Sequence, residues 1–501
     1  MPATRLRFRE RPGKPDGELF LGEELIWPDI MPSFLAEAFR GFNNFVFSYF
    51  LLLNISYVLL TIVAFIYIRS YKQRQRYSDV RATLQSGNTP AISILVPAYN
   101  EEAGIVECVK GLSLLHYPQF EIVVVNDGST DATLERLDRA FALRRTVRPY
   151  PNAIPTQPVR CIYESSLLPN LVVVDKENGG KADALNAASN VALHPLVCSV
   201  DADSILEENG LLRVVMPFVE QPNRTVAVGG IVGIANGNRI EKGKLVSIHL
   251  PRSLLARLQI VEYLRAFLAG RLGWSYLGGV VIISGVFCLV KKTALQACAG
   301  FNRQTVGEDA ELVVRLHRYL RQRGEPYQIL FVPDPICWTE APETLALLGR
   351  QRNRWQRGLC EILWMHRRML CNPRYGIVGV VTLPFQLIFE CVGGCIEFVG
   401  YAIFAVSVSL QVVEPSLVVA FLAVSVLAGT LISISSVLLE ELTLRKYTRV
   451  ADLPRLIWLC VAENFGYRQL HAYWRLRGLI DFLLGKREWG QMAHQGFRPQ
   501  K

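Results

Sequence analysis

Acidic side chains that follow apolar, β-rich runs are the residues of this sequence best suited to chemistry. Asp201 and Asp203 stand one residue apart after such a run, so their carboxylates can hold a hard divalent cation that bridges two phosphates. Asp127 lies in a similar place, before a helical segment that Ser129 or Thr130 is expected to cap. Each motif, taken alone, also fits an ordinary strand-to-helix turn.

The elements that would position these side chains alternate between β-rich runs and segments of helical spacing, from residue 89 to residue 374. The predicted strands are 91–98, 120–126, 171–175 and 196–201, and the predicted helices are 102–115, 131–143, 181–192 and 205–219. Alternation of this kind predicts a parallel sheet covered by helices, in which ligands bind at the carboxyl ends of the strands. We therefore expect the acidic side chains to share one site.

A first membrane span is predicted over residues 45–68. This segment carries no charged side chain, and at about 1.5 Å per residue a helix of this length crosses a hydrocarbon core of about 30 Å. The basic residues that follow it are Arg69, Lys72, Arg74 and Arg76. Positive charge gathers on the cytoplasmic side of membrane spans, so everything after this span is expected to be cytoplasmic until the next one.

Two further apolar regions lie near the end of the chain. Residues 384–439 predict a hairpin of two transmembrane helices, in which Glu390 and Glu397 indicate a protein-facing or water-filled seam. Snorkelling of these carboxylates at the membrane surface is the alternative. Charged side chains interrupt the last block, 453–484, which is expected to form interfacial or re-entrant helices bent at Gly466.

Composition limits the class of protein. The chain has 501 residues, half of them apolar and 20% charged, which excludes both a disordered chain and a protein made only of membrane helices. The net charge of +10 calls for an anionic neighbour, but we find no zinc finger or basic arm that indicates nucleic acid. Eleven cysteines without a CxxC pair indicate reduced thiols. The extension 1–44 and the tail 485–501 indicate no function.

A set of motifs occurs in a characteristic order along the chain. They are 96–102 (VPAYNEE), 127–129 (DGS), 179–186 (GGKADALN), 201–203 (DAD), 307–309 (GED) and 351–355 (QRNRW). In order and spacing they resemble the membrane-embedded, processive glycosyltransferases of family 2, which include cellulose, hyaluronan and poly-N-acetylglucosamine synthases. The resemblance covers about residues 90–484, and it implies an α/β domain of the GT-A (Rossmann-like) fold at 89–374 with an α-helical transmembrane region.

The resemblance also implies how a sugar donor binds. The donor is expected to be a UDP-sugar, with its uridine near Asp127 and with Asp201 close to the nucleotide. Asp203 is expected to hold Mg²⁺ or Mn²⁺ on the diphosphate. A departing nucleoside diphosphate accumulates negative charge, and Arg354 and Lys181 are the cations expected to stabilise it. The alternative for Lys181 is a solvated residue early in a helix.

Asp309 occupies the family position of the general base. In an inverting transfer such a carboxylate takes the proton of the acceptor hydroxyl while that oxygen attacks the anomeric carbon. Glu308 is assigned to the catalytic group with it. The alternative is that this acidic pair only improves the N-terminus of a helix over 308–320. The family's usual threonine is Gly307 here, which leaves the base in place but puts the local turn in doubt.

Acceptor binding is assigned to two segments. Gln351, Arg354 and Trp355 are spaced to share one face of a helix, where a guanidinium suits a diphosphate and an indole offers a sugar ring a flat platform. The alternative, compatible with the first, is a basic helix on the inner leaflet. Ser284 and Gly285 end an apolar run and resemble the acceptor-binding segment, although the run also fits a buried strand.

Together these features predict inverting, metal-dependent transfer of a hexosyl or N-acetylhexosaminyl unit from a UDP-sugar to a growing polysaccharide at the inner (plasma) membrane. Export through a pore formed by the enzyme's own helices is expected to accompany it. The expected partners are the donor, a polysaccharide or lipid acceptor, membrane lipids, and export or regulatory proteins. The alternatives are transfer of a single sugar to a lipid, and a non-catalytic nucleotide sensor or export scaffold.

Overall fold

Long apolar helices and a ten-stranded sheet make up the structure. The computed structural model describes residues 6–10, 19–23, 33–77, 89–241, 243–444, 446–447 and 449–486. Half of the predicted extension 1–44 and nearly all of the tail 485–501 lie outside the described residues, as does the side chain of Arg76.

Three helices of the described chain are long and apolar enough to cross a membrane: Ser33–Arg74, Val378–Ser409 and Pro415–Thr443. The first belongs to helix α1 (Ser33–Tyr77), which extends beyond both ends of the predicted span 45–68. Its last turns reach the α/β domain, where the Tyr71 hydroxyl donates a hydrogen bond to the Asp334 carboxylate. The other two helices coincide with the predicted hairpin 384–439, apart from a few residues at each end.

The sheet is mixed rather than parallel throughout. Its strands are β3 (Ile92–Ala98), β4 (Phe120–Asp127), β5 (Leu143–Thr146), β6 (Val159–Ser165), β7 (Leu171–Lys176), β8 (Leu196–Val200), β9 (Ser204–Leu206), β10 (Thr225–Ile234), β13 (Phe287–Lys291) and β14 (Gln328–Thr339). They lie in the order β5-β6-β7-β4-β3-β8-β13-β10-β14-β9. The central strands β7, β4, β3 and β8 are parallel, as predicted, whereas β6 and β13 flank them in antiparallel orientation.

Two hairpins stand apart from this sheet: β1 (Leu6–Glu10) with β2 (Leu19–Glu23), and β11 (Arg239–Glu241) with β12 (Lys244–Ser247). One local prediction is wrong. Residues 205–219 were expected to be helical, but Ile205 lies in β9, where it pairs with Trp338 of β14. The helix begins only at Gly210. The strand at Ile205 could not be predicted from the local sequence, because its pairing partner in β14 is far away along the chain.

Helices cover the sheet and continue into the region of the long apolar helices. In the α/β domain they are α2 (Ile105–Ser113), α3 (Thr133–Phe141), α4 (Lys181–Val191), α5 (Gly210–Glu220), α6 (Leu254–Leu264), α7 (Leu272–Tyr276), α8 (Lys292–Ala297), α9 (Glu308–Arg323) and α10 (Leu345–Met365). Those that follow are α11 (Leu383–Phe385), α12 (Gly393–Ser409), α13 (Pro415–Leu422), α14 (Gly429–Thr443), α15 (Asp452–Ala462) and α16 (Tyr467–Leu483). The core lies between helices and sheet, where side chains such as Ile94, Ile122 and Cys198 from neighbouring strands are fully buried.

The last two helices turn at Gly466, whose φ of 94° favours glycine. Helix α16 packs against both α10 and α12. Arg475 of α16 lies 3.3 Å from the Glu390 carboxylate and 3.7 Å from that of Glu397, so both acids face protein. The turn between α15 and α16 lies beside the helix Pro415–Thr443, where the Asn464 side chain donates a hydrogen bond to the Thr430 hydroxyl at 3.0 Å.

Candidate active site

The parallel strands end at one edge of the sheet, and a cleft opens there. Because β3, β4 and β8 run in the same direction, the polar residues that follow them meet at this edge. The cleft has a volume of about 1940 Å³. It brings together every predicted site residue: Asp127, Lys181, Asp201, Asp203, Ser284, Gly285, Glu308, Asp309, Gln351, Arg354 and Trp355.

Asp127 ends β4 and is held by backbone and by a buried cation. Its carboxylate accepts hydrogen bonds from the Gly179 N–H at 3.1 Å and the Gly180 N–H at 2.8 Å. The Lys176 ammonium lies 2.5 Å from the same carboxylate and 2.7 Å from that of Asp183. The Lys176 side chain is fully buried, so this ion pair fixes Asp127 rigidly. Sequence reasoning missed Lys176, whose only signal is a lysine at the end of an apolar strand.

The turn after β4 is hydrogen-bonded to the end of β3. The Ser129 hydroxyl accepts a hydrogen bond from the Asn100 N–H at 3.0 Å, and the Thr130 N–H donates to the Asn100 side chain at 2.8 Å. The expectation that Ser129 or Thr130 caps the helix is therefore wrong. Asp131 accepts a hydrogen bond from the Thr133 N–H at the helix start. The motifs at the ends of β3 and β4 are thus one unit.

Lys181, at the start of α4, joins two acidic groups of the cleft. Its ammonium lies 2.5 Å from the Asp201 carboxylate and 3.9 Å from that of Glu308, and it also donates to the Gly285 carbonyl. Burial opposes its charge, but the carboxylates of Asp201 and Glu308 outweigh this and raise the pKa of Lys181. Lys181 is therefore a cleft residue and not a solvated one.

Two carboxyl groups of the cleft are harder to ionise than usual. Burial raises the pKa of Glu308 to about 7, against the Lys181 charge and with help from the negative charge of Asp309. Burial also raises the pKa of Asp201, and the neighbouring Asp203 carboxylate adds to the effect. Burial is the main cause of both shifts and the neighbouring carboxylates add to it; carboxyl groups perturbed in this way are common in functional clefts.

Asp201 and Asp203 have the donor chemistry that a hard divalent cation needs. Asp201 is engaged by the Lys181 ammonium, while the Asp203 carboxylate accepts a hydrogen bond from the Ser204 hydroxyl at 3.2 Å. Within the described chain no cluster of three or more His, Cys, Asp or Glu side chains has the arrangement of a metal cage. The carboxylates of Asp201 and Asp203 are of the kind that would hold a hard cation such as Mg²⁺ through one or two protein oxygens.

Asp309 lies in the first turn of α9, which begins at Glu308 although Gly307 replaces the threonine of the family. Its carboxylate approaches the backbone of Gly285 so closely that a Cβ there would lie 3.1 Å from the Asp309 Oδ2 atom. Gly285 thus leaves room for the predicted base. The strand expected to end at Ser284 and Gly285 is wrong, since β13 starts only at Phe287 and these residues form an irregular segment along the cleft.

Helix α10 supplies the opposite wall. Gln351, Arg354 and Trp355 line the cleft, and the Trp355 side chain stays 46% exposed. Arg352 lies behind them and is 4% exposed, so it does not face lipid. Its guanidinium donates to Gln351 at 3.1 Å and to Glu262 of α6 at 2.9 Å, and it stacks 4.0 Å from the centre of the Trp355 ring. Sequence reasoning missed this buried support.

The geometry agrees with what comparison of the whole sequence finds. The family profile described as glycosyltransferase like family 2 matches residues 90–358, which is more than half of the chain. The chain is a family-2 glycosyltransferase. The predicted resemblance, the enzyme class and the fold class, a GT-A-like mixed sheet with additional apolar helices, are thereby confirmed.

Curated relatives of this family-2 glycosyltransferase include polysaccharide synthases. The poly-β-1,6-N-acetyl-D-glucosamine synthase of Staphylococcus epidermidis is 27% identical over 319 residues, which cover 64% of this chain and 66% of the relative. The synthase of the same name from Staphylococcus aureus is 28% identical over 324 residues, with the same coverage of 64% and 66%. The chain thus spans just under two thirds of the length of these relatives.

Solved structures similar to the enzyme are more distant. The mannosyltransferase PcManGT from Pyrobaculum calidifontis, in complex with GDP-Man and Mn²⁺, has a TM-score of 0.46 and 18% identity, covering 83% of this chain and 99% of that one. S. aureus TarS 1–349 in complex with UDP-GlcNAc has a TM-score of 0.34 and 15% identity, covering 79% and 92%. The ligands in those structures belong to those proteins.

Proposed function

We propose that this glycosyltransferase transfers a sugar from a UDP-sugar to a growing polysaccharide at the inner membrane, and that UDP-N-acetylglucosamine is its donor. The observation that carries the proposal is the position of the cleft. Leu383 and Gln386, from the second apolar helix, line the same cleft as Asp203, Asp309 and Trp355. A product made there is already at the membrane helices. The naming of the synthase relatives supports N-acetylglucosamine as the sugar.

On the donor side, Asp127 and Asp201 bind the nucleotide, and Asp203 would hold Mg²⁺ or Mn²⁺. When bound, the cation neutralises charge on the diphosphate. Arg354 and Lys181 face the same cleft and stabilise the negative charge that develops as UDP departs. The Lys181 ammonium also lies 3.9 Å from the Glu308 carboxylate. Arg354 and Lys181 therefore supply the positive charge that offsets the negative charge of the departing UDP.

On the acceptor side, Asp309 takes the proton of the attacking hydroxyl, and the acceptor oxygen attacks the anomeric carbon from the face opposite the diphosphate. One base is enough, because an inverting transfer needs no covalent intermediate. Glu308, the residue before Asp309, is assigned to the catalytic residues together with it. Trp355 offers its exposed ring to the acceptor sugar, and Gln351, with the segment of Ser284 and Gly285, completes the acceptor surface.

Membrane insertion is the remaining part of the proposal. The basic residues that follow the apolar segment 45–68, in the last turns of α1, favour a cytoplasmic catalytic domain, with UDP-sugar drawn from the cytoplasm. Export of the polymer then proceeds along the helices that border the cleft. The side chains of Glu390, Glu397 and Arg475 lie among these helices, and they offer polar groups to which the hydroxyls of a sugar chain can hydrogen-bond.

Purified enzyme in detergent or lipid, incubated with Mg²⁺ or Mn²⁺ and one UDP-sugar at a time, tests the proposal. We expect UDP release and a long polymer with UDP-N-acetylglucosamine, and far less with UDP-glucose. Products of a single added sugar on a gel would favour the lipid-transferring alternative. UDP binding without turnover of any donor in the panel would contradict the proposal.

A further inference from the structure

A short turn ties the start of α9, which carries the predicted base, to α10. The Thr305 hydroxyl donates a hydrogen bond to the Glu361 carboxylate at 2.7 Å, and the Val306 N–H donates to the same oxygen at 3.0 Å. The Gly307 N–H in turn donates to the Thr305 hydroxyl at 3.1 Å. The Glu361 carboxylate of α10 therefore holds Thr305 and Val306 directly, and Gly307 through the Thr305 hydroxyl, in the turn that leads into Glu308.

The two backbones also touch at this point. A Cβ on Gly307 would lie 3.4 Å from the Gly358 Cα, and a Cβ on Gly358 would lie 3.2 Å from the Gly307 Cα. Gly358 and Glu361 follow Arg354 by one and two helical turns, so all three share one face of α10. The face of α10 that carries Arg354 to the cleft therefore also contacts the turn that precedes Glu308 and Asp309.

A further contact joins the same two helices about one turn later. The Glu311 carboxylate of α9 lies 3.0 Å from the His366 Nε2 atom at the end of α10, and both side chains are buried. Glu311 also pairs with Arg315 of its own helix. The hydrogen bonds to Glu361, the contact between Glu311 and His366, and the close approach of Gly307 and Gly358 therefore hold α9 and α10 together. Rotation of one helix against the other would break them.

We propose that Glu361 and Thr305 are positioning residues that set Asp309 against Arg354 and Trp355 for the transfer step. This inference rests on the proposed function. In that step the acceptor oxygen bonds to the anomeric carbon, the bond from that carbon to the diphosphate breaks, the proton moves to Asp309, and UDP leaves. The base lies on α9, while the cation and the sugar platform lie on α10. Their separation is therefore set where the helices are joined.

The test compares Glu361→Ala and Thr305→Val with the conservative variants Glu361→Gln and Thr305→Ser in full-length enzyme. The conservative variants keep an acceptor for both donors and a hydroxyl, respectively. Because small misplacements of reacting groups are costly, Glu361→Ala and Thr305→Val are expected to lower kcat by about 10-fold to 100-fold. The affinity for UDP, which needs neither contact, should remain that of the wild type, and Glu361→Gln and Thr305→Ser should restore most of the rate.

The other outcomes are distinct. If all four variants turn over at the wild-type rate, or if kcat, UDP affinity and melting temperature fall together, the positioning role is wrong while the proposed function stands. If the wild type itself releases no UDP with any UDP-sugar but binds UDP, the proposed function fails and this inference fails with it. A lowered kcat with unchanged UDP affinity and unchanged melting temperature supports the positioning role.

Discussion

Replacing Lys181 by methionine removes the cation at the centre of the cleft and keeps a side chain of similar length. In the wild type its ammonium holds the Asp201 carboxylate at 2.5 Å and lies 3.9 Å from that of Glu308. Lys181→Met leaves the buried Glu308 carboxyl and the partly buried Asp201 carboxyl without this partner. We therefore expect the pKa of each to rise further, since burial already raises both.

Two magnitudes follow. Losing a preorganised cation beside a departing diphosphate is expected to lower kcat by about 100-fold to 1000-fold, or roughly 3–4 kcal/mol. Breaking a fully buried ion pair costs about 3–5 kcal/mol of folding free energy. The side chains of Lys181 and Asp201 are 21% and 24% exposed, so solvent screens the pair and we expect a stability loss of about 1–3 kcal/mol.

The assay is UDP release at saturating donor, with the melting temperature of the same preparation as the stability measurement. Lys181→Arg is the matched control because it keeps the positive charge, and it should retain more activity than Lys181→Met. If Lys181→Met turned over within a few-fold of the wild type while its melting temperature fell, Lys181 would serve only the stability of the cleft. That result would refute its role in the departure of UDP.

Three further results are expected. Because burial raises the pKa of Glu308 in the folded protein to about 7, the stability of the wild type should fall as the pH rises from the usual carboxyl range towards 7. Glu308→Gln does not titrate, so its melting temperature should exceed that of the wild type by more at pH 8 than at pH 5. A difference that is the same at both pH values would contradict this. Arg352→Lys keeps a charge but loses the planar stack on Trp355, so the acceptor KM should rise about tenfold with the donor KM unchanged; equal changes in both would speak against it. Arg475→Leu leaves the Glu390 carboxylate without its cation. Because the two side chains are 19% and 30% exposed, the free energy of unfolding should fall by about 1–3 kcal/mol in thermal denaturation, whereas an unchanged value would place that carboxylate in water.

The central strands and the members of the site could be predicted because their signals are local. Apolar runs such as 120–126 and 196–201 match β4 and β8 to within a residue at each end. A parallel sheet brings strand ends to one edge, so motifs far apart in sequence could be expected to meet. The start of the antiparallel strand β13 could not be predicted. The apolar run before Phe287 shows no alternation of apolar and polar residues that would distinguish a strand from irregular chain.

The supports of the site could not be predicted because each depends on a distant partner. Lys176 meets Asp127 across 49 residues, Arg475 meets Glu390 across 85, and Arg352 meets Glu262 across 90. In the sequence each looks like an ordinary basic residue. Only the packing of the helices and strands shows that these cations are buried and paired, and that the carboxylates they hold are fixed in place.

The most direct test of the account is the turnover and UDP affinity of Asp309→Asn. The substitution is nearly isosteric and removes only the ability to accept a proton, so the cleft should still bind UDP as the wild type does. With UDP-N-acetylglucosamine and Mn²⁺, we expect kcat to fall by about 100-fold to 10,000-fold while UDP affinity is unchanged. UDP release by Asp309→Asn at the wild-type rate would contradict the assignment of this cleft and its base to sugar transfer.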